Sequence, residues 1–210
     1  MEITRVARNA LVRGAPGSAF AAVDRLLLQV SWVSTCPRWR TGRERDTAGM
    51  AELAPIDRAA LSAFWERAQA SGAIPGDREF EGSVERFGDD AELADELLDL
   101  VVHGPKRATA GSVAALAQGG EPLPAVGELW IAADASGRPR AVLRTTEVRT
   151  GPLSSVEDAF AWDEGEGDRS RSMWLTDHEA FFRRQLPNLG IEFDPDMETV
   201  FERFEVVYVE

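Results

Sequence analysis

EGEGDRSRSMW, residues 164–174, crowds three carboxylates, two glycines, two arginines and a tryptophan into eleven positions. Glycine weakens helices and strands alike and aspartate prefers turns, so this stretch reads as a polar loop rather than a packing element. Its counterpart is GPKRAT, residues 104–109, where a cation and a hydroxyl lie three residues apart behind a Gly-Pro stop. Together the two segments supply the ingredients of a polar site: an amine, an alcohol and several carboxylates.

Working outward, the pattern on both sides is regular. Pro55 and Asp57 open a helix whose apolar positions Ala60, Leu61, Phe64, Trp65 and Ala68 recur every three or four residues, and Gly72 stops it. Leu93, Leu97, Leu98 and Val101 mark a second helix ending at Gly104-Pro105. Residues 127–133 and 140–150 read as a hairpin around the turn at 134–139, and residues 199–209 as a closing strand. Thr176 with Glu179 three residues on is a capping-box signature for a third helix carrying Phe181, Phe182 and Leu186. Helices first, then strands with a helix inserted, predict an α+β fold, a small mixed β-barrel flanked by helices. GGEP at 119–122 and GEG at 165–167 lack the context of a nucleotide-binding glycine loop.

Charge and cysteine content narrow the function classes. The 210-residue chain is 44% hydrophobic and carries a net charge of −13, distributed as +4 over residues 1–49 and −17 over residues 50–210. So acidic a surface repels phosphodiester backbones, which leaves a small molecule favoured over long nucleic acid. Lys106, Arg107, Arg169 and Arg171 are the residues from which a local basic groove would have to be built. A single cysteine, Cys36, excludes an internal disulfide framework and points to a reducing cytoplasm. No apolar run approaches the roughly 18 residues of a membrane span. Residues 1–49 show no sustained period and are read as a poorly ordered or non-native extension, with translation expected to start at Met50 and one domain over 50–210. Intact mass of protein from the native host tests this, because a mass including residue 1 excludes the internal start.

In order along the chain, GPKRAT, AVGELW, RTTEV, EGEGDRSRSMW followed by TDHEAFF, and the terminal ERFEVVYVE resemble an ASCH domain over about residues 60–210. The resemblance implies a PUA-like β-barrel with an open cleft, no cofactor, and either nucleoside amide hydrolysis on N4-acetylcytidine-like substrates or RNA binding, with or without ribonuclease activity. It places a catalytic lysine, threonine and glutamate at Lys106, Thr109 and Glu166, with Glu164 the competing glutamate. Arg107, Glu164, Asp168, Arg169 and Trp174 are the accompanying binding candidates, toward a nucleoside, a nucleotide or RNA.

Chemistry constrains these roles. Side chains at i and i+3 of a strand point to opposite faces, so Lys106 and Thr109 converge only if their segment turns. The favoured scheme uses Thr109 as nucleophile and Lys106 as its base, but a carboxylate in contact with the lysine would spoil that base. The glutamate would then activate water, or the lysine would remain a cation at a developing oxyanion. Plainer readings stand beside these: Lys106 and Arg107 complementing a helix C-terminus, Thr109 as a turn hydroxyl, the carboxylates as a solvated loop. A metal is not expected, since the carboxylates lack a histidine at ligand spacing. His103 and His178 read as a helix-end and a helix-surface residue, and Trp65 and Trp130 as core, whereas Trp174 reads as a binding surface.

Overall fold

The computed structural model describes residues 53–210, so the extension read over 1–49 and the start at Met50 lie outside the described residues. Helix α1 (Arg58–Ala70) begins where the Asp57 carboxylate accepts from the Ala59 and Ala60 amides at 3.1 and 3.0 Å. That satisfies donors a helix start leaves without intrahelical partners. Strand β1 (Val84–Glu85), helix α2 (Ala91–Val102), strand β2 (Ala108–Ser112) and helix α3 (Val113–Gly119) follow. Then come the hairpin β3 (Leu129–Ala133) and β4 (Pro139–Pro152), helices α4 (Asp158–Glu164) and α5 (Arg171–Gln185), and strand β5 (Glu198–Val209).

The strands form one five-stranded sheet in the order β1-β3-β4-β5-β2, antiparallel except for the parallel β1–β3 pair. The closed barrel expected from the strand pattern is therefore corrected to an open sheet. β1 and β2 stand at opposite ends and do not pair with each other, and β1 is only two residues long. The chain between these edges is spent on α2, which packs on one face against Trp130, Ala132, Ala141, Leu143 and Phe204. Alternation along β3 sends Leu129 and Ile131 to the other face, where α1 contributes Phe64, Trp65 and Ala68. At the β2–β5 end, Ala108, Ala110 and Phe201 pack on α4 and α5 through Phe160, Trp174, Phe181 and Phe182. Each fully buried aromatic of this kind contributes roughly 1.5–3 kcal/mol.

Two local expectations shift. The capping box at Thr176 is not used: α5 begins five residues earlier, at Arg171, because the Ser170 hydroxyl accepts from the Met173 amide at 3.2 Å. Thr176 lies inside the helix and its hydroxyl donates to the Ser172 carbonyl at 3.0 Å. The polar loop is likewise shorter than its composition indicates, since Glu164 ends α4 and Trp174 sits within α5. Among the described residues no helix is long and apolar enough to cross a membrane.

A buried carboxylate and ammonium cluster as the candidate functional site

Gly104 and Pro105 end α2 and turn the chain into a four-way junction. The Lys106 amide donates to the Leu100 carbonyl at 3.1 Å, the Arg107 amide to the Asp163 carbonyl at 2.7 Å, and the Phe204 amide to the Arg107 carbonyl at 2.9 Å. The turn thus ties the ends of α2 and α4 to β5. From it the Lys106 side chain runs inward and is fully buried. Its ammonium sits 5.2 Å from the centroid of the Phe87 ring. It donates to Glu166 Oε1 in a short contact and to Glu164 Oε1 at 3.4 Å.

Glu164 is itself fully buried, and its Oε2 accepts from the Trp174 indole. His178, also buried, stacks on Trp174 with ring centroids 3.6 Å apart and planes 13° off parallel. The imidazole Nε2 lies 3.7 Å from Glu164 Oε1, and Nδ1 lies 2.9 Å from the Trp174 carbonyl oxygen. Burial works against the imidazolium, but the Glu164 and Glu166 carboxylates outweigh it and hold the His178 pKa above its ordinary value.

Gly165 makes this arrangement possible. Its φ of +75° is left-handed, and a Cβ there would stand 2.8 Å from the Lys106 amide nitrogen and 2.8 Å from the Pro105 carbonyl carbon. Only glycine lets the Glu-Gly-Glu corner lie against the 105–106 backbone. Gly165→Ala is therefore expected to cost more than the ~1–2 kcal/mol of the left-handed conformation alone. Chemical denaturation measures the loss, and unchanged stability would mean that the corner relaxes freely.

The predicted residues divide into two groups. Lys106, Glu164, Glu166 and Trp174 meet in one buried cluster, with Trp174 packed into the core rather than presented as a surface. Thr109 lies on β2, fully buried, opposite Glu202 of β5. Its hydroxyl has no hydrogen-bond partner among the described residues, so the expected nucleophile-to-base contact with Lys106 is not formed. Arg107 donates from Nη1 to the Val101 carbonyl at 3.0 Å, the helix-end role that its position also allowed. Asp168 accepts from the Ser170 amide at 2.8 Å, and its hydrogen bonds with Ser170 hold its pKa below the usual value. Arg169 lies 3.7 Å over the Trp162 ring and donates twice to the Trp162 carbonyl. Arg171 likewise donates to the Val156 and Ser154 carbonyls. These three guanidinium groups hold backbone together instead of converging on Lys106.

Two features were misread or missed in the sequence. His178, expected on a helix surface, is buried: it follows Trp174 by four residues and shares its helix face, and nothing in that spacing marked the face as buried. Glu202 is the second. It shares the inward face of β5 with Phe204, and the Thr145 hydroxyl donates to its Oε1. A cleft of about 220 Å³ opens there, lined by Glu85, Glu121, Glu128, Trp130 and Glu202 among others. Trp130 packs on Phe87, the ring beneath the Lys106 ammonium, so one aromatic connects cleft wall and cluster.

Burial pushes the Glu202 pKa up to about 7, against the hydrogen bond from Thr145. An acid with a raised folded pKa favours the fold while protonated, and that contribution is lost as pH rises from about 4.5 through about 7. Glu202→Gln is accordingly expected to be roughly 1–2 kcal/mol more stable than the parent at pH 8, with the gain vanishing near pH 4. Urea melts at the two pH values check the sign.

Among the described residues no group of three or more His, Cys, Asp or Glu side chains is arranged to hold a metal ion. Comparison with known proteins places the fold. A profile of the ASCH domain matches residues 83–208. The crystal structure of an ASCH domain from Lactobacillus crispatus JV V101 is 33% identical to this chain, with a TM-score of 0.65, covering 71% of this chain and 95% of that one. A second crystal structure, of a protein from Enterococcus faecalis V583, is 32% identical with a TM-score of 0.64, covering 72% and 90%. No curated protein matches the chain significantly. With the matched profile spanning both GPKRAT and the 164–174 corner, the chain belongs to the ASCH domain family, a PUA-like group.

Proposed function

We propose that this protein is a small-molecule amide hydrolase acting on acylated pyrimidine nucleosides of the N4-acetylcytidine type. One observation carries the reading: Glu166, whose Oε1 takes the buried Lys106 ammonium, keeps a buried Oε2 with no hydrogen-bond partner among the described residues, and the buried Thr109 hydroxyl, three residues along the chain from Lys106, has none either. Leaving a buried polar atom unsatisfied costs about 1–3 kcal/mol, a cost that a bound substrate would remove.

The roles follow from the contacts. An ammonium held by two carboxylates is a donor and not a base, so Lys106 serves the oxyanion that develops on the acyl oxygen. Glu166, with a free oxygen, takes a proton from the attacking water and returns it to the departing N4 amine. Water adds to the acyl carbon, the C–N bond breaks, and acetate and cytidine leave. Thr109 donates its hydroxyl to the bound substrate. Lys106 and Glu164 are sealed from solvent, so turnover includes a displacement of the 165–170 loop. A neutral nucleoside also escapes the repulsion that a polyanion meets from a chain with net charge −13.

Incubating the full chain with N4-acetylcytidine, and separately with a labelled short RNA, tests the proposal. Release of cytidine and acetate, diminished in Thr109→Ala, is the expected result. Retention or cleavage of the RNA with the nucleoside left intact would support an RNA-binding module instead.

A further inference from the structure

His178 is a buried, titratable neighbour of the cluster for which the proposed chemistry has no task. Its surroundings nevertheless restrict its chemical state. A backbone carbonyl only accepts, so the 2.9 Å contact with the Trp174 oxygen requires a proton on Nδ1. The other nitrogen faces Glu164 Oε1 at 3.7 Å, too far for a hydrogen bond, and has no hydrogen-bond partner among the described residues. In a neutral ring with Nδ1 protonated, Nε2 would aim a lone pair at that carboxylate, and two acceptors would repel in a dry site. Protonating Nε2 turns the repulsion into an ion pair. The charges balance as well, because Lys106 alone leaves Glu164 and Glu166 with one negative charge in excess. The charged groups facing the ring are Glu164 and Glu166, with Lys106 behind them.

We propose that His178, held as an imidazolium by the Trp174 carbonyl and the Glu164 carboxylate, is a positioning residue that fixes Glu164 between the indole and the ammonium and so leaves Glu166 Oε2 free for substrate. Its catalytic consequence rests on the hydrolase reading; its charge state does not. Glu164 accepts from the Trp174 indole and from Lys106, and His178 approaches it from a third side at 3.7 Å. With the imidazole neutral, Glu164 is pushed away from the ring, and Lys106 is left to divide itself differently between the two carboxylates.

Nitrogen-resolved NMR of the imidazole rings decides the charge state without any substrate, since the chain has only two histidines to assign. Both His178 nitrogens are expected to be protonated at pH 7. Its titration midpoint should lie above the ordinary ~6.5 and fall by about one unit or more in Glu164→Gln. A neutral His178 at pH 7, or a midpoint indifferent to Glu164→Gln, overturns the proposal. The positioning role is read in kinetics on the same proteins. His178→Leu should lower kcat by about 10-fold or more at little change in KM, the range typical of outer hydrogen-bonding partners, and His178→Gln, which keeps a donor, should recover part of it. A rise in KM with kcat unchanged, or no recovery by glutamine in a folded variant, would refute that role. If the parent does not hydrolyse N4-acetylcytidine, the hydrolase reading falls, while the NMR result still stands or falls by itself.

Discussion

Lys106→Met should lower the melting temperature by about 10 °C, the consequence of leaving two buried carboxylates without their cation. Methionine fills much the same volume, so the loss reports charge rather than a cavity. Breaking one side of a buried pair typically costs ~3–5 kcal/mol, because the surviving ion keeps its desolvation penalty and loses its compensation. Here the survivors are Glu164, which retains the Trp174 indole and the approach of His178, and Glu166, whose Oε2 has no hydrogen-bond partner among the described residues. Acidification should therefore narrow the deficit, since protonating the carboxylates removes the uncompensated charge. The double variant Lys106→Met/Glu166→Gln should recover part of the lost stability for the same reason. Denaturant melts of the three proteins across pH check each statement, and a single variant as stable as the parent at neutral pH would show that the cluster is solvated.

Glu166→Gln should reduce kcat on N4-acetylcytidine by about 10²–10⁴-fold with KM little altered, the range for loss of a general base. Stability should change far less than in Lys106→Met. A glutamine oxygen still accepts from the ammonium, and Glu164 remains to balance it. The contrast separates two schemes for the same cluster. Were Thr109 the nucleophile and Lys106 its base, the larger kinetic loss would fall on Thr109→Ala and Lys106→Met, and Glu166→Gln would be mild. The observed partners favour glutamate as the base, because Lys106 donates to carboxylates while the Thr109 hydroxyl has no partner among the described residues.

Much of this architecture could be read from residue order. The spacing of Phe64, Trp65 and Ala68 announced α1, and Gly104-Pro105 announced the end of α2. The hairpin turn and the final β-rich run were also legible, because periodicity and turn chemistry are local properties. So was the meeting of Lys106 with the 164–166 corner, although that pairing was carried by the resemblance of whole motifs rather than by any local rule.

Other features were not legible, for reasons of the same kind. Closure depends on whether two end strands meet, and no residue in β1 or β2 records that the chain between them will be laid across the sheet as α2. Trp174 looked like a stacking platform because its neighbours are polar, but α5 starts at Arg171, capped by Ser170, and turns the indole inward onto Glu164. The arginines looked like a groove because they are close in sequence, whereas each reaches a different main-chain carbonyl.

Composition and order alone determined several of the element types, the acidic charge and the residue kinds available for chemistry, since each depends on near neighbours or on simple sums. Tertiary structure decided which of those residues are buried and what faces them. Surroundings in a dry interior are set by residues distant in sequence, as the 3.7 Å approach of His178 to Glu164 across a turn and the 60-residue separation between Lys106 and Glu166 both show.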